Sequence, residues 1–233
     1  MEAKKNIVIL PTFNEAGNIE KIIKSLYTFN VDILVVDDNS PDNTASIVKK
    51  MMLSNKRIDI LQRPEKLGLG SAYRDGFKYS IEKGYKNLIQ MDADFSHRIK
   101  DLKVMLNSIN DYEVIIGSRY INGGDSIGWS KSRKLLSKFA NIYARKVTGC
   151  KINDMTSGFR IYSSNALNTM QYNVTKSNGY GFQIEMSSKA YYKKLSIIEV
   201  PIIFNERREG ESKMNFRIII EALLIVLKLR FFR

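Results

Sequence analysis

Asp92 and Asp94 stand one residue apart where the apolar run Asn87 to Met91 ends. Alternate residues of a strand face opposite sides, but a chain that leaves the strand at the first Asp turns into a loop. Both carboxylates can then converge on one hard divalent cation, Mg²⁺ or Mn²⁺. A cation held by so few protein oxygens ordinarily serves a diphosphate. The same pair also suits a solvated loop that caps the following helix, so its chemistry depends on what stands beside it.

Three further polar clusters, Pro11 to Glu15, Asp37 to Ser40 and Arg63 to Gly70, also come directly after strand-like runs. Asp37 and Asp38 can accept hydrogen bonds from ribose hydroxyls or a base N–H, with Phe13 packed near the base, although Asp37 serves equally well as a helix cap. In the stretch LGLGSAY, Gly68 and Gly70 allow close approach of the backbone to a ligand, without the Lys-Ser/Thr pair of a nucleoside-triphosphate loop. The first strand leads into PTFNEAGN, not into a dinucleotide fingerprint, which disfavours hydride transfer. Arg133, Ser137 and Asn141, at i, i+4 and i+8, share one helix face that can present a guanidinium, a hydroxyl and an amide to one phosphate. Lys134 and Lys138 form a stripe beside them, and a solvated basic face is the alternative. Asp154 and Glu185 read as pocket acids or as structural acceptors for loop amides. His97, the only histidine, is within reach of a cation at the acidic pair, and reads equally as an exposed loop residue. Cys150 reads as a small buried hydrophobe.

The elements that must position these residues alternate. Ile7 to Leu10, Ile33 to Val36, Ile58 to Leu61, Leu88 to Met91 and Val114 to Ile116 are short strands, separated by amphipathic helical spacing such as Ile19, Ile22, Ile23 and Leu26. That is the pattern of a parallel sheet, whose ligands bind beyond the carboxyl ends of the strands. A basic helix from Ser130 to Val147, a helix from Phe182 to Lys194 and a strand from Ile197 to Phe204 make a less regular second half.

At 233 residues the chain can bury a substantial single core. One cysteine excludes an internal disulfide framework and zinc clusters and, with an N-terminal apolar run too short for a signal peptide, points to a reducing, cytoplasmic side. The formal charge of +13 calls for an anionic partner: nucleic acid, an acidic membrane face or a phosphorylated substrate. No nucleic-acid reader and no aromatic-interleaved basic stripe is present, so nucleic acid is not expected as a partner. A nucleotidyltransferase would share the sheet and acids and is separated from a glycosyl transferase by its release of pyrophosphate.

PTFNE, VVDDNSPDNT, RPEKLGLGSAY, MDADFSH, IIGSRY, Gly128-Trp129 followed by Arg133, TSGFR, GYGFQIEM and VPIIFNERREGESK occur in this order from about Ile7 to Lys213. The series resembles the polyprenol-phosphate (dolichol-phosphate) mannosyltransferases of glycosyltransferase family 2. The resemblance implies an α/β fold of the GT-A (Rossmann-like) type, a mostly parallel central sheet flanked by helices, in a catalytic domain over residues 1–213. It implies inverting transfer of mannose from GDP-mannose to a polyprenyl or dolichyl phosphate, the nearest alternative being glucose from UDP-glucose. Pro11, Phe13, Glu15 and Asp38 match the positions that hold the nucleotide. Asp37, Gly70, Asp92 and Ala93 complete the expected nucleotide-sugar site. Asp92 and Asp94 match the metal-binding acids, and Ser96 takes a position that is Gln, and a further ligand, in some relatives. Arg119, Arg133 and Ser137 match the residues that grip the acceptor phosphate. Arg207 and Lys213 match a mobile loop that closes over the donor. The expected catalytic set is Asp94, Arg119, Arg133, Arg207 and Lys213. A phosphate monoester has its second pKa at about 6, so this acceptor needs no strong general base; the demand is for positive charge on both reactants.

From Phe216 the chain reads FRIIIEALLIVLKLRFFR, interrupted by Glu221 and Lys228 and shorter than the ~20 residues of a membrane span. Residues 214–233 suit an amphipathic helix lying in a headgroup layer or binding a partner, and also an ordinary helix packed on the core. The expected setting is peripheral, on the cytoplasmic face of a membrane, reached by this helix or through a small membrane-anchoring subunit. Trp129 with Lys131, Arg133, Lys134 and Lys138 is a second candidate contact with an anionic surface.

Overall fold

Runs of apolar residues with both faces buried build the sheet at the centre of the molecule. In the computed structural model, which describes residues 5–206 and 225–230, the strands are β1 (Asn6–Thr12), β2 (Asp32–Asp37), β3 (Ile58–Gln62), β4 (Asn87–Gln90), β5 (Val114–Ser118), β6 (Asp125–Ile127), β7 (Arg160–Ser163), β8 (Ile197–Pro201) and β9 (Ile203–Asn205). Seven of them form one sheet in the order β3-β2-β1-β4-β7-β5-β8, and β6 pairs with β9 in a separate ribbon. Within the large sheet only β7 runs antiparallel to its neighbours. Burial of both faces explains why β1 is continuously apolar from Ile7 to Pro11: Ile7 and Ile9 enter the core on one face, Val8 and Leu10 the core on the other.

The helices are α1 (Ile19–Leu26), α2 (Thr44–Ser54), α3 (Leu69–Glu82), α4 (Ile99–Leu106), α5 (Lys131–Thr148), α6 (Ser164–Met170) and α7 (Tyr180–Tyr192). Buried residues of α1, α2 and α4 join one core; those of α3, α5, α6 and α7 join the other. The N-terminus of α5 is capped by the Ser130 hydroxyl, which accepts from the Arg133 amide, and Gly149, at φ 73°, ends it. Residues 225–230 are helical, and Val226 and Leu229 pack on the α3 side of the sheet. The other residues of the expected 214–233 helix, and the boundary at 213, lie outside the described residues. No helix among the described residues is long and apolar enough to cross a membrane.

The expected strand from Ile197 to Phe204 divides in two. Pro201 has no N–H to extend the ladder, and the buried Ile202 packs over Gly117, so the chain steps from the large sheet to the β6–β9 ribbon. The antiparallel β7 is not an expectation of the sequence pattern. By entering between β4 and β5 it brings Arg160 opposite Gln90, and so carries the segment from Asp154 to Phe159 to the edge where the parallel strands end.

Candidate active site

The six parallel strands finish at this edge, with Phe13, Asp38, Arg63, Asp92 and Arg119 just beyond β1 to β5 in turn. The polar clusters that lie far apart in the chain therefore share one rim. Pro11 and Asp37 depart from the expected arrangement, since they lie inside β1 and β2, in register with Val36 and Thr12 respectively.

At the end of the rim where the nucleotide is expected, Asp38 is buried and bound by Arg63, with Nε 2.6 Å from Oδ1. Burial raises the Asp38 pKa; the Arg63 guanidinium pulls it down, but by less. Arg63, itself buried, also donates to Ser71 Oγ at 2.8 Å and Asp75 Oδ2 at 3.1 Å, fixing the loop before α3. Phe13 is half-buried, with the Lys66 ammonium 4.0 Å from its ring centroid. Neither of these roles, for Arg63 or for Lys66, is visible in the sequence, because a cation in a loop gives no sign there of the carboxylate or ring it will meet. Glu15 lies beside them, its Oε2 accepting from Asn18 Nδ2 at 2.9 Å.

Two expected contacts prove to have structural roles. Asp37 is fully buried and accepts from Thr12 Oγ1, the Ser40 amide and Ser40 Oγ at 2.6–3.0 Å, so it ties β1 to the turn after β2. Gly70 turns toward protein: a Cβ on it would stand 2.4 Å from the Ser177 carbonyl, and its amide donates to Asn178 O. Close packing against the segment before α7 requires a glycine here.

In the acidic motif, Ala93 is buried, Asp94 is buried and Asp92 is partly open. Phe95 adopts φ 60°, a left-handed conformation that costs a residue with a side chain roughly 1–2 kcal/mol. The resulting turn lets Asp94 Oδ1 accept the Ser96 amide at 3.0 Å. Ser96 Oγ is buried with no hydrogen-bond partner among the described residues. His97 is not the exposed loop residue expected: it is 1% exposed, its ring lies against Phe159 (4.8 Å between centroids), and Nε2 stands 3.5 Å from Asp92 Oδ2. Gly158 closes this corner, its missing Cβ 3.7 Å from Asp92 Oδ2. No group of three or more His, Cys, Asp or Glu side chains among the described residues is arranged to hold a metal. Two carboxylates separated by one residue and an unpartnered hydroxyl at Ser96 are the donor types that suit a cation of the Mg²⁺ or Mn²⁺ type, which is commonly held by one or two carboxylates and completed by water and substrate phosphates.

An aromatic wall leads from the acidic motif to the arginines. The His97 ring meets Phe204 at 5.2 Å, Phe204 meets Trp129 at 5.4 Å, and the Arg133 guanidinium lies 4.2 Å from the Trp129 ring centroid. Arg119 stands against Trp129 and Phe204 at 5.5 and 5.6 Å. It is held from behind by Asp154, through Nε–Oδ2 at 2.8 Å and Nη2–Oδ1 at 2.7 Å, and Nη2 also donates to Thr156 Oγ1. Burial by itself would raise the Asp154 pKa, but the Arg119 charge and hydrogen bonds hold it below the usual carboxylate range. Arg133 pairs with Glu206 at 2.9 Å, and Ser137 Oγ accepts from Tyr120 OH at 2.6 Å. Asn141 does not join them. It is buried, donating to Thr156 Oγ1 and Ser137 O and accepting from the Met155 amide, because the eighth residue along has rotated toward the core. Glu185 likewise serves structure, accepting from the Ser177 amide and hydroxyl. A surface groove of about 350 Å³ runs beside Arg119 and Tyr120 along Lys131, Lys134, Leu135 and Lys138. Arg207 and Lys213 lie outside the described residues.

The model of the family described as glycosyl transferase family 2 matches residues 7–170. A polyprenol monophosphomannose synthase of Mycolicibacterium smegmatis is 39% identical over 227 residues, covering 96% of this chain and 86% of that protein. An undecaprenyl-phosphate mannosyltransferase of Micrococcus luteus is 37% identical over 222 residues, covering 94% and 91%. Among solved structures, a mannosyltransferase from Pyrobaculum calidifontis in complex with GDP-mannose and Mn²⁺ superposes with a TM-score of 0.60 at 15% identity, covering 98% of this chain and 73% of its own; this likeness is one of fold.

Proposed function

This chain belongs to glycosyl transferase family 2, and on that premise we propose that it moves mannose from GDP-mannose to the phosphate of a polyprenyl or dolichyl phosphate, giving a lipid-linked mannose for later glycosylation. The observation that carries this reading is the aromatic wall His97–Phe204–Trp129, which sets an acidic pair suited to a cation beside two arginines suited to an anion. A transferase with a phosphate acceptor needs both. The names of the two relatives, each a mannosyl transferase to a polyprenyl phosphate, support mannose over the glucose alternative.

In the proposed reaction a phosphate oxygen of the acceptor attacks the anomeric carbon from the face opposite the diphosphate. The new C–O bond forms as the bond to the diphosphate breaks, its electron pair leaves with GDP, and the configuration inverts. No proton has to move, because the attacking phosphate is already largely dianionic near neutrality. Asp92 and Asp94, with Ser96 at their side, would hold a divalent cation, whose charge stabilises the departing diphosphate. Asp38, Phe13, Glu15 and Lys66 seat the nucleotide, while Arg119, Arg133 and Ser137 orient the acceptor phosphate. Arg207 and Lys213 add positive charge over the donor.

We place the enzyme peripherally at the cytoplasmic face of a membrane, with a catalytic domain over residues 1–213 and a membrane- or partner-binding helix over 214–233; a small membrane subunit is compatible with this. The deciding experiment offers the protein GDP-mannose, UDP-glucose and other sugar nucleotides with Mg²⁺ or Mn²⁺ and a polyprenyl phosphate, and identifies the lipid product. Mannosyl phosphoryl polyprenol with release of GDP is expected. A glucosyl lipid, or release of pyrophosphate, would reject the assignment.

A further inference from the structure

Arg160, the first residue of β7, is fully buried. Its guanidinium donates to neutral oxygens: Nε to Ser157 O at 2.8 Å, Nη2 to Met155 O at 2.9 Å, and Nη1 to Ser187 Oγ at 2.9 Å and Tyr162 OH at 3.2 Å. Among the described residues it forms no ion pair. A buried cation that faces no carboxylate is a costly way to hold a loop, and the loop it holds runs between the two halves of the site. The carbonyls of Met155 and Ser157 turn back to Arg160, whereas the residues that alternate with them meet the site. Asp154 and Thr156 accept from the Arg119 guanidinium. Gly158 packs on the acidic motif, where a Cβ would stand 3.7 Å from Asp92 Oδ2 and 3.8 Å from His97 Nε2.

We propose that Arg160 is a positioning residue for the transfer: by fixing the segment from Asp154 to Phe159 it sets the separation between the acids of the donor side and the arginine of the acceptor side. The inference rests on the proposed function and deepens it. Nε and Nη2 form one edge of a rigid planar fork, so the two carbonyls they bind are held in a fixed relation to each other. A lysine ammonium carries the same charge without that fork. The groups that would grip each reactant, Asp92 and Asp94 on one side and Arg119 with Asp154 on the other, make no hydrogen bond to Arg160 that their own binding depends on. A displaced loop therefore spoils alignment more than affinity. In-line attack tolerates little displacement, since a shift of about 1 Å costs about a hundredfold in rate.

The test compares the full-length wild type with Arg160→Lys, using GDP-mannose, Mn²⁺ and a polyprenyl phosphate, with kcat taken per folded molecule after thermal unfolding. The variant's kcat should fall about tenfold to a hundredfold, while the KM of each substrate stays within about threefold. Where lysine prevents folding, Ser187→Ala/Tyr162→Phe serves instead: it removes both Nη1 acceptors and leaves Arg160 in place, and kcat should fall about threefold or more. Unchanged kcat in the folded variant makes Arg160 a purely structural residue and overturns the proposal. So does a raised KM at unchanged kcat. Emission from Trp129, the only tryptophan, reads the loop without turnover, because the indole stands against Arg119. The emission maximum should shift in either variant, and an unshifted spectrum also overturns the proposal. Failure of wild type and variant alike to make product would reject the transferase assignment, leaving the Trp129 emission to judge the placement of the loop.

Discussion

Asp154 grips Arg119 at two points, and both side chains are buried, Asp154 completely. The Asp154 carboxylate also accepts the Arg119 backbone amide at 2.9 Å, so main chain and guanidinium are fixed by one group. Asp154 receives its own orientation from Glu199, which accepts the amides of Asn153 and Asp154. Arg119 thus stands on a relay from β8 through the loop before β7.

Asp154→Asn should therefore lower kcat far more than it raises the KM of the donor, and should destabilise the fold by about 3–5 kcal/mol, the usual effect of breaking a buried ion pair. Kinetics with each substrate varied in turn, and urea unfolding, measure the two effects. The pH dependence is set by the depressed Asp154 pKa. Its contribution to stability is complete above the ordinary aspartate value of ~3.9 and is lost as the pH falls through the still lower folded value. Acid unfolding of the wild type should consequently include a step below that ordinary value, and this step should be missing in Asp154→Asn.

Asp38 presents the opposite sign. Burial raises its pKa, so the ionised form costs stability above that raised value, and the cost disappears as the pH falls through it. Asp38→Asn should lower Tm, because the buried Arg63 guanidinium keeps only the more exposed Asp75 as a charged partner, while raising the KM for the nucleotide sugar about tenfold or more, the loss expected for a hydrogen bond to a charged group. A large fall in Tm with an unaltered donor KM would make Asp38 a structural residue.

Asp94→Asn should remove at least about a hundredfold of turnover with little change in unfolding temperature. Titration with Mn²⁺ in the presence of GDP should show weakened metal binding. Near-normal activity in the folded variant would exclude a metal role for Asp94.

Gly70→Ala tests packing against ligand approach. The added methyl meets the Ser177 carbonyl, and a destabilisation of about 1–3 kcal/mol is expected, as for other overpacked sites. Activity per folded molecule should be retained. A stable variant that has lost donor affinity would return Gly70 to the nucleotide site.

Much of this architecture is legible in the one-dimensional order of residues, because short apolar runs alternating with amphipathic helices allow few arrangements other than a parallel sheet. Such a sheet necessarily gathers the loops beyond its strands on one rim, and that is why Phe13, Asp38, Asp92 and Arg119 are identifiable from sequence. Which of those polar groups turn toward a ligand and which toward the protein was decided by tertiary contacts alone. Asp37 and Asp38 are adjacent in the chain, yet one is consumed by Thr12 and Ser40 and the other meets Arg63. Asn141 keeps the helical spacing of Arg133 and Ser137 but is buried by the packing of the Thr156 loop. The insertion of β7, the burial of His97 between Phe159 and Phe204, and the Asp154 support of Arg119 all join segments distant in sequence. Periodicity reports only on neighbours a few residues away, so sequence determined the rim and its chemistry, and long-range packing determined which side chains remain on it to act.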